Sequence, residues 1–101
     1  MQVRLNIKET EASMSLSGRF DFDANREFRS GFHTLLSTPG MQSINIDLGG
    51  VDYLESSALG MLLIAKERAA ARNVHLQLTK CTGRVREILD IANFGKIFKL
   101  S

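Results

Sequence analysis

At 101 residues, 44% of them apolar and 24% charged, the chain has the makings of one domain with one core and too little charge bias for disorder. Its formal charge of +2 is dispersed, and the densest basic group, Arg84, Arg86, Lys96 and Lys99, is interrupted by Glu87 and Asp90, which reads as a solvated face rather than a nucleic-acid surface. No apolar run approaches the ~20 residues of a membrane helix. Met1-Gln2-Val3-Arg4 opens no signal-peptide segment, and the lone Cys81 forms no internal disulfide, so a reducing cytoplasm is the expected location.

Val3, Leu5 and Ile7 alternate with polar residues, the period of a half-buried strand. After a turn at Thr10-Glu11, Ala12, Met14, Leu16 and Gly18 alternate with serines, which predicts a second strand and an antiparallel hairpin. Phe28, Phe32 and Leu35–Leu36 then fall on one helix face, with Asp21 or Asp23 as a candidate cap, and Ser37-Thr38-Pro39-Gly40 ends the helix. Ile44, Ile46 and Leu48 form a third strand that is expected to stop at Gly49-Gly50, with Val51–Glu55 as a short connection.

Ser56 opens a long helix to about Arg72, whose inward stripe is read as Leu59, Leu62, Leu63, the Lys66 stem, Ala69 and Ala70. Asn73 suits a left-handed stop. Val74, Leu76 and Leu78 make a fourth strand, and Val85, Ile88, Leu89 and Ala92 a third helix. Asn93-Phe94-Gly95 is a turn, and Ile97, Phe98 and Leu100 a final apolar patch. The order β-β-α-β-α-β-α predicts an α/β fold with a mixed sheet. An N-terminal hairpin precedes parallel strands joined by right-handed helical crossovers, with three or four helices packed on them.

Most metal-binding and catalytic chemistries lack their residues in this chain. His33 and His75 have no cysteine or carboxylate at metal-ligand spacing, and Cys81 lacks a flanking motif, so all three read as structural. No phosphate-binding glycine loop or zinc-protease motif occurs. Leu54 and Ala58 occupy the glycine positions that a nucleophile elbow around Ser56 would need. The expectation is a binding module without catalytic groups, metal or cofactor.

What stands out is Asp47–Gly60, which leaves a buried strand and enters a helix at Ser56. Such strand ends face the ligand or partner side of an α/β sheet. Ser56 could be an N-cap only, worth ~1 kcal/mol. Gly60 argues for more, because glycine one turn into a helix costs ~1 kcal/mol against alanine, and close approach of sheet or partner backbone is a reason to keep it.

The segment Ile46–Gly60 resembles the signature of the STAS domain, the fold of bacterial anti-sigma factor antagonists: an apolar strand, Asp-Leu, a short loop, then Asp-Ser-Ser/Thr-Gly-Leu-Gly entering a helix. Gly18-Arg19-Phe20-Asp21 is similar to the family's Gly-Glu-Leu-Asp, and Leu89–Phe94 to its late helix and turn. Glu55 stands for the usual aspartate, Ala58 for a glycine, and Asn93 near another. The resemblance implies that Ser56 is a phosphorylation site, with Ser57 as the neighbouring alternative. It implies a partner surface built on Asp21, Glu55, Ser56, Ser57, Ala58, Leu59 and Gly60, where the Ala58 methyl would limit how closely a partner backbone approaches. Unphosphorylated, the domain would bind an anti-sigma factor, often a serine kinase of the histidine-kinase-like ATPase superfamily. Phosphorylation would release it, and a PP2C-type phosphatase would reset the cycle. The resemblance also allows an unphosphorylated accessory subunit of a lipid-transport ABC system, bracing an ATPase. A monomer is the default expectation, since no residue announces a self-interface.

Overall fold

The computed structural model describes residues 1–101. Strands β1 (Gln2–Lys8) and β2 (Glu11–Phe20) form the expected antiparallel hairpin, closed by Glu9-Thr10 with Glu9 in the left-handed region at φ 58°. The turn lies one residue earlier than expected, because Glu11 already pairs with Lys8. Then come α1 (Asn25–Leu36), β3 (Ser43–Leu54), α2 (Ser56–Ala71), β4 (His75–Thr79), α3 (Gly83–Ile91) and β5 (Lys99–Leu100). One 3-10 turn, Phe22–Ala24, leads into α1, and another, Phe94–Lys96, precedes β5. The sheet runs β1-β2-β3-β4-β5, parallel from β2 onward, which is the mixed α/β architecture expected.

The period of two sorts the sheet residues. Met14, Leu16, Ile44, Ile46, Leu76 and Leu78 are fully or nearly fully buried, while Ser13, Ser15, Asn45, Asp47 and Gln77 alternate with them and stay partly exposed. On α1 the expected face, Phe28, Phe32, Leu35 and Leu36, is buried, and Phe28 meets Phe20 of β2 with ring centroids 5.2 Å apart. Neither Asp21 nor Asp23 caps α1. Ala24 holds the N-cap position, because the 3-10 turn, closed by the Ala24 amide donating to the Asp21 carbonyl at 3.1 Å, already redirects the chain.

Three further elements differ from expectation. β3 does not stop at Gly49-Gly50. It carries two extra residues against β2, between the pairs Ser15↔Asp47 and Ser17↔Gly50 and again before Arg19↔Tyr53, and continues to Leu54. The glycines mark a bulge, not a strand end. A Cβ at Gly50 would lie 2.8 Å from Ser17 Cβ and 2.9 Å from the Leu16 carbonyl oxygen, so only glycine fits where the two strands close up.

The terminal patch contains β5, paired with β4 through Gln77↔Lys99 and Leu78↔Leu100. The inward stripe of α2 is Ala58, Met61, Leu62, Ala65 and Ala69, whereas Leu63 and Ala70 are exposed. Asn73 and Asn93 adopt the left-handed conformation, at φ 58° and 60°, as their side chains allow.

Cys81 is buried between β4 and α3, and its amide donates to the Ser101 carbonyl at 2.9 Å. Burial pushes its thiol above the usual range, and this outweighs the lowering by the Ser101 backbone and Arg86. The folded state therefore holds the proton more tightly than the unfolded chain. That stabilisation is complete below the ordinary thiol range and is lost as pH rises through the folded value. Denaturant titrations should show an alkaline loss of stability that Cys81→Ala removes, and Cys81 should react with a disulfide reagent only on unfolding.

Candidate functional site

β2 and β3 end together, Phe20 opposite Leu54, and the Glu55 amide donates to the Phe20 carbonyl at 3.0 Å. This brings Asp21, leaving β2, beside Glu55 and Ser56, leaving β3. Glu55 is extended (φ −88°, ψ 156°) and takes the N-cap position, so Ser56 is the first helical residue of α2 and does not cap it. No side chain caps α2, and within its first turn the Ala58 amide donates to the Glu55 carbonyl at 2.9 Å.

The two serines differ. The Ser57 hydroxyl is half-buried and donates to Glu55 Oε1 at 3.2 Å. Ser56 is exposed, and its hydroxyl takes part in none of the side-chain hydrogen bonds of the fold. Asp21 is held by Arg19, Nε to Oδ2 3.4 Å, and the Arg19 guanidinium also lies 4.2 Å from the centroid of the Tyr53 ring.

The fold assembles Asp21, Glu55, Ser56 and Ser57 at one end of the sheet but not all the residues expected with them. Ala58 is fully buried, so its methyl packs into the core and limits no partner's approach. Leu59 is partly buried against the same core and contributes only an edge. Gly60 is exposed, and a Cβ there would meet nothing within 4 Å. Close approach of the sheet is therefore not its reason, and bare helix backbone on the outer face is what it offers.

Two residues escaped the sequence reading. Phe22 is 68% exposed and Tyr53 41% exposed, flanking the acidic pair. Phe20-Asp21-Phe22 held the signal for the first: two aromatics at period two point to one face of a continuing strand, but the 3-10 turn splits them. Tyr53 was hidden by reading Val51–Glu55 as a loop. Neither of two surface grooves of about 620 and 640 Å³ includes Ser56. The site is an exposed surface carrying two large apolar side chains, Phe22 and Tyr53.

The family model described as "Mlab, STAS domain" matches residues 3–100. The chain belongs to the STAS-domain family. A curated relative, the "STAS-domain containing protein PA14_20770" of Pseudomonas aeruginosa (strain UCBPP-PA14), is 41% identical over 91 residues, covering 90% of this chain and 88% of that one.

Among solved STAS-like structures, an anti-sigma factor antagonist from Mycobacterium paratuberculosis superposes with a TM-score of 0.86 at 17% identity, over 98% of this chain and 83% of that one. The Bacillus cell fate determinant SpoIIAA in its phosphorylated form gives 0.75 at 16% identity, over 99% and 91%. At these identities the structural likeness is one of fold. No helix of this chain is long and apolar enough to cross a membrane.

Proposed function

We propose that this STAS domain is an anti-sigma factor antagonist, a non-enzymatic partner switch controlled by phosphorylation of Ser56. The observation that carries the reading is the contrast between the serines: the Ser56 hydroxyl is exposed and unengaged at the first position of α2, while that of Ser57 is tied to Glu55. A kinase needs a hydroxyl it can reach. A phosphate there adds about −1.5 to −2 charges where free amides and the helix dipole accept an anion, so the fold tolerates it. The consequence falls on the interface, where Asp21 and Glu55 already stand. Two structural neighbours support the reading, one described as an anti-sigma factor antagonist and the other, SpoIIAA, described in a phosphorylated form.

In this reading the unphosphorylated surface, with Phe22 and Tyr53 as apolar anchors, binds an anti-sigma factor of the histidine-kinase-like ATPase superfamily. That factor phosphorylates Ser56 and dissociates, and a PP2C-type phosphatase restores the hydroxyl. The second reading is an accessory subunit bracing a lipid-transport ABC ATPase. It needs no free hydroxyl.

Affinity capture from the source cells, combined with phosphopeptide mapping, separates the two. The switch predicts a kinase-type anti-sigma factor bound to the unphosphorylated chain and a phosphate on Ser56. A phosphate on Ser57 would move the site. An ABC ATPase bound to a chain that is never phosphorylated would replace the switch with the brace.

A further inference from the structure

A second surface lies two turns along α2, on the side that faces α1. There the two helices flank a groove of about 620 Å³. Arg26, Arg29 and His33 line it from α1, and Arg68 from α2. Along α1 these three residues stand at i, i+3 and i+7, a rise of about 10 Å over two turns of one helix edge.

The floor is apolar, made by Phe28, Phe32 and Ala65 with Met61 beside them, and Ile64 rises from it 58% exposed. Arg68 crosses the groove, donating toward His33 Nδ1 at 3.1 Å, with its guanidinium 5.7 Å from the Phe32 ring centroid. No carboxylate lines the groove. The four ion pairs of the fold are Arg19–Asp21, Lys80–Asp47, Arg84–Glu87 and Arg86–Asp90, so none of the groove arginines is neutralised within the chain.

An exposed isoleucine on an aromatic floor, rimmed by Arg26 and Arg29 one turn apart on α1 and by Arg68 on α2, none of them in an ion pair, is complementary to one kind of occupant. We propose that this groove docks an acidic amphipathic helix of a partner protein. The partner's carboxylates, at i, i+3 or i+4, and i+7, pair with Arg26, Arg29 and Arg68, and an apolar side chain between them covers Ile64 and Met61. Polar or phosphate-only ligands would use the cations and leave Ile64 uncovered; a helix uses both. The inference stands on the groove alone and does not require Ser56 to be phosphorylated.

The probe is a fluorescent peptide of about fifteen residues, cross-linked to hold it helical. It carries three glutamates along one edge and leucines between them, and is titrated by anisotropy against the intact protein. The Glu peptide should bind at least about tenfold more tightly than its Gln counterpart and than a scrambled Glu peptide of equal charge. The double variant Arg26→Glu/Arg29→Glu should weaken it by at least about tenfold, as should Ile64→Asp, while Ser56→Ala leaves it unchanged. All four positions are exposed, and thermal melts of each variant check that the fold is intact.

Equal binding of the Glu and Gln peptides, equal binding of the scrambled peptide, or wild-type affinity in the charge-reversed variant would each overturn the proposal. So would arginine-dependent binding to phosphatidylglycerol vesicles or to oligo-dT when the helical peptide fails to bind.

Discussion

Phosphorylation of Ser56 should weaken binding to the anti-sigma factor by about a hundredfold, roughly 3 kcal/mol, while changing the stability of the domain by less than about 1 kcal/mol. The two halves have separate physical causes. The helix end tolerates the phosphate because α2 begins with no capping side chain, which leaves the Ser56 and Ser57 amides to meet an anion. The interface does not tolerate it because a partner shaped to a neutral hydroxyl beside Asp21 and Glu55 would face a third, more highly charged group at the same end of the sheet.

Ser56→Asp should reproduce the loss only in part, by about tenfold, since one carboxylate supplies half the charge and less bulk. Ser56→Ala should bind as the unphosphorylated domain does and resist the kinase. It should also cost no stability, because the N-cap position belongs to Glu55 and alanine is a good helix former. Were Ser56 the cap, the same change would cost ~1 kcal/mol. Isothermal titration for affinity and urea melts for stability check both halves.

Leu62→Ala should destabilise the domain by about 2–5 kcal/mol, whereas Ile64→Ala should stay within about 0.5 kcal/mol of the parent. Leu62 is fully buried beneath α2, and its truncation leaves a cavity that the surrounding sheet side chains, themselves fully buried, cannot readily fill. Ile64, two residues on, points away from the sheet. Urea melts of the pair test the orientation of α2. A large loss at Ile64 with a small one at Leu62 would mean that the helix is rotated from the face described. That rotation would also carry Ser56 away from the partner side.

The orientation of α2 is the part of the fold least legible in the sequence. Ala58, Leu59, Met61, Leu62, Leu63, Ile64 and Ala65 surround the helix with apolar side chains, so spacing alone admits more than one inward stripe. Tertiary packing chose Ala58-Leu62-Ala65-Ala69, the narrow side, and left Leu63 and Ile64 outside. By contrast α1, with Phe28, Phe32 and Leu35–Leu36 alone on one side, could be read only one way.

The strands were legible where alternation was strict, as in Val3–Ile7 and Ile44–Leu48. They were lost where a bulge interrupted it at Gly49-Gly50, or where the element was only Lys99–Leu100. The candidate site was legible as a segment, because Glu55-Ser56-Ser57 lies at a strand-to-helix junction. Which of its residues face outward was not legible: Ala58 went inside, Phe22 and Tyr53 came out, and the Ser57 hydroxyl turned back to Glu55. Those outcomes depend on how β2 and β3 end side by side, a contact between residues more than thirty positions apart.

The most direct measurement pairs two readings on one sample: protein stoichiometrically phosphorylated on Ser56 and its unphosphorylated form, each titrated against the captured anti-sigma factor and each melted alone. The account predicts a loss of affinity of about a hundredfold with superimposable melting curves. Equal affinity of the two forms, or a phosphorylated form that unfolds, would contradict it.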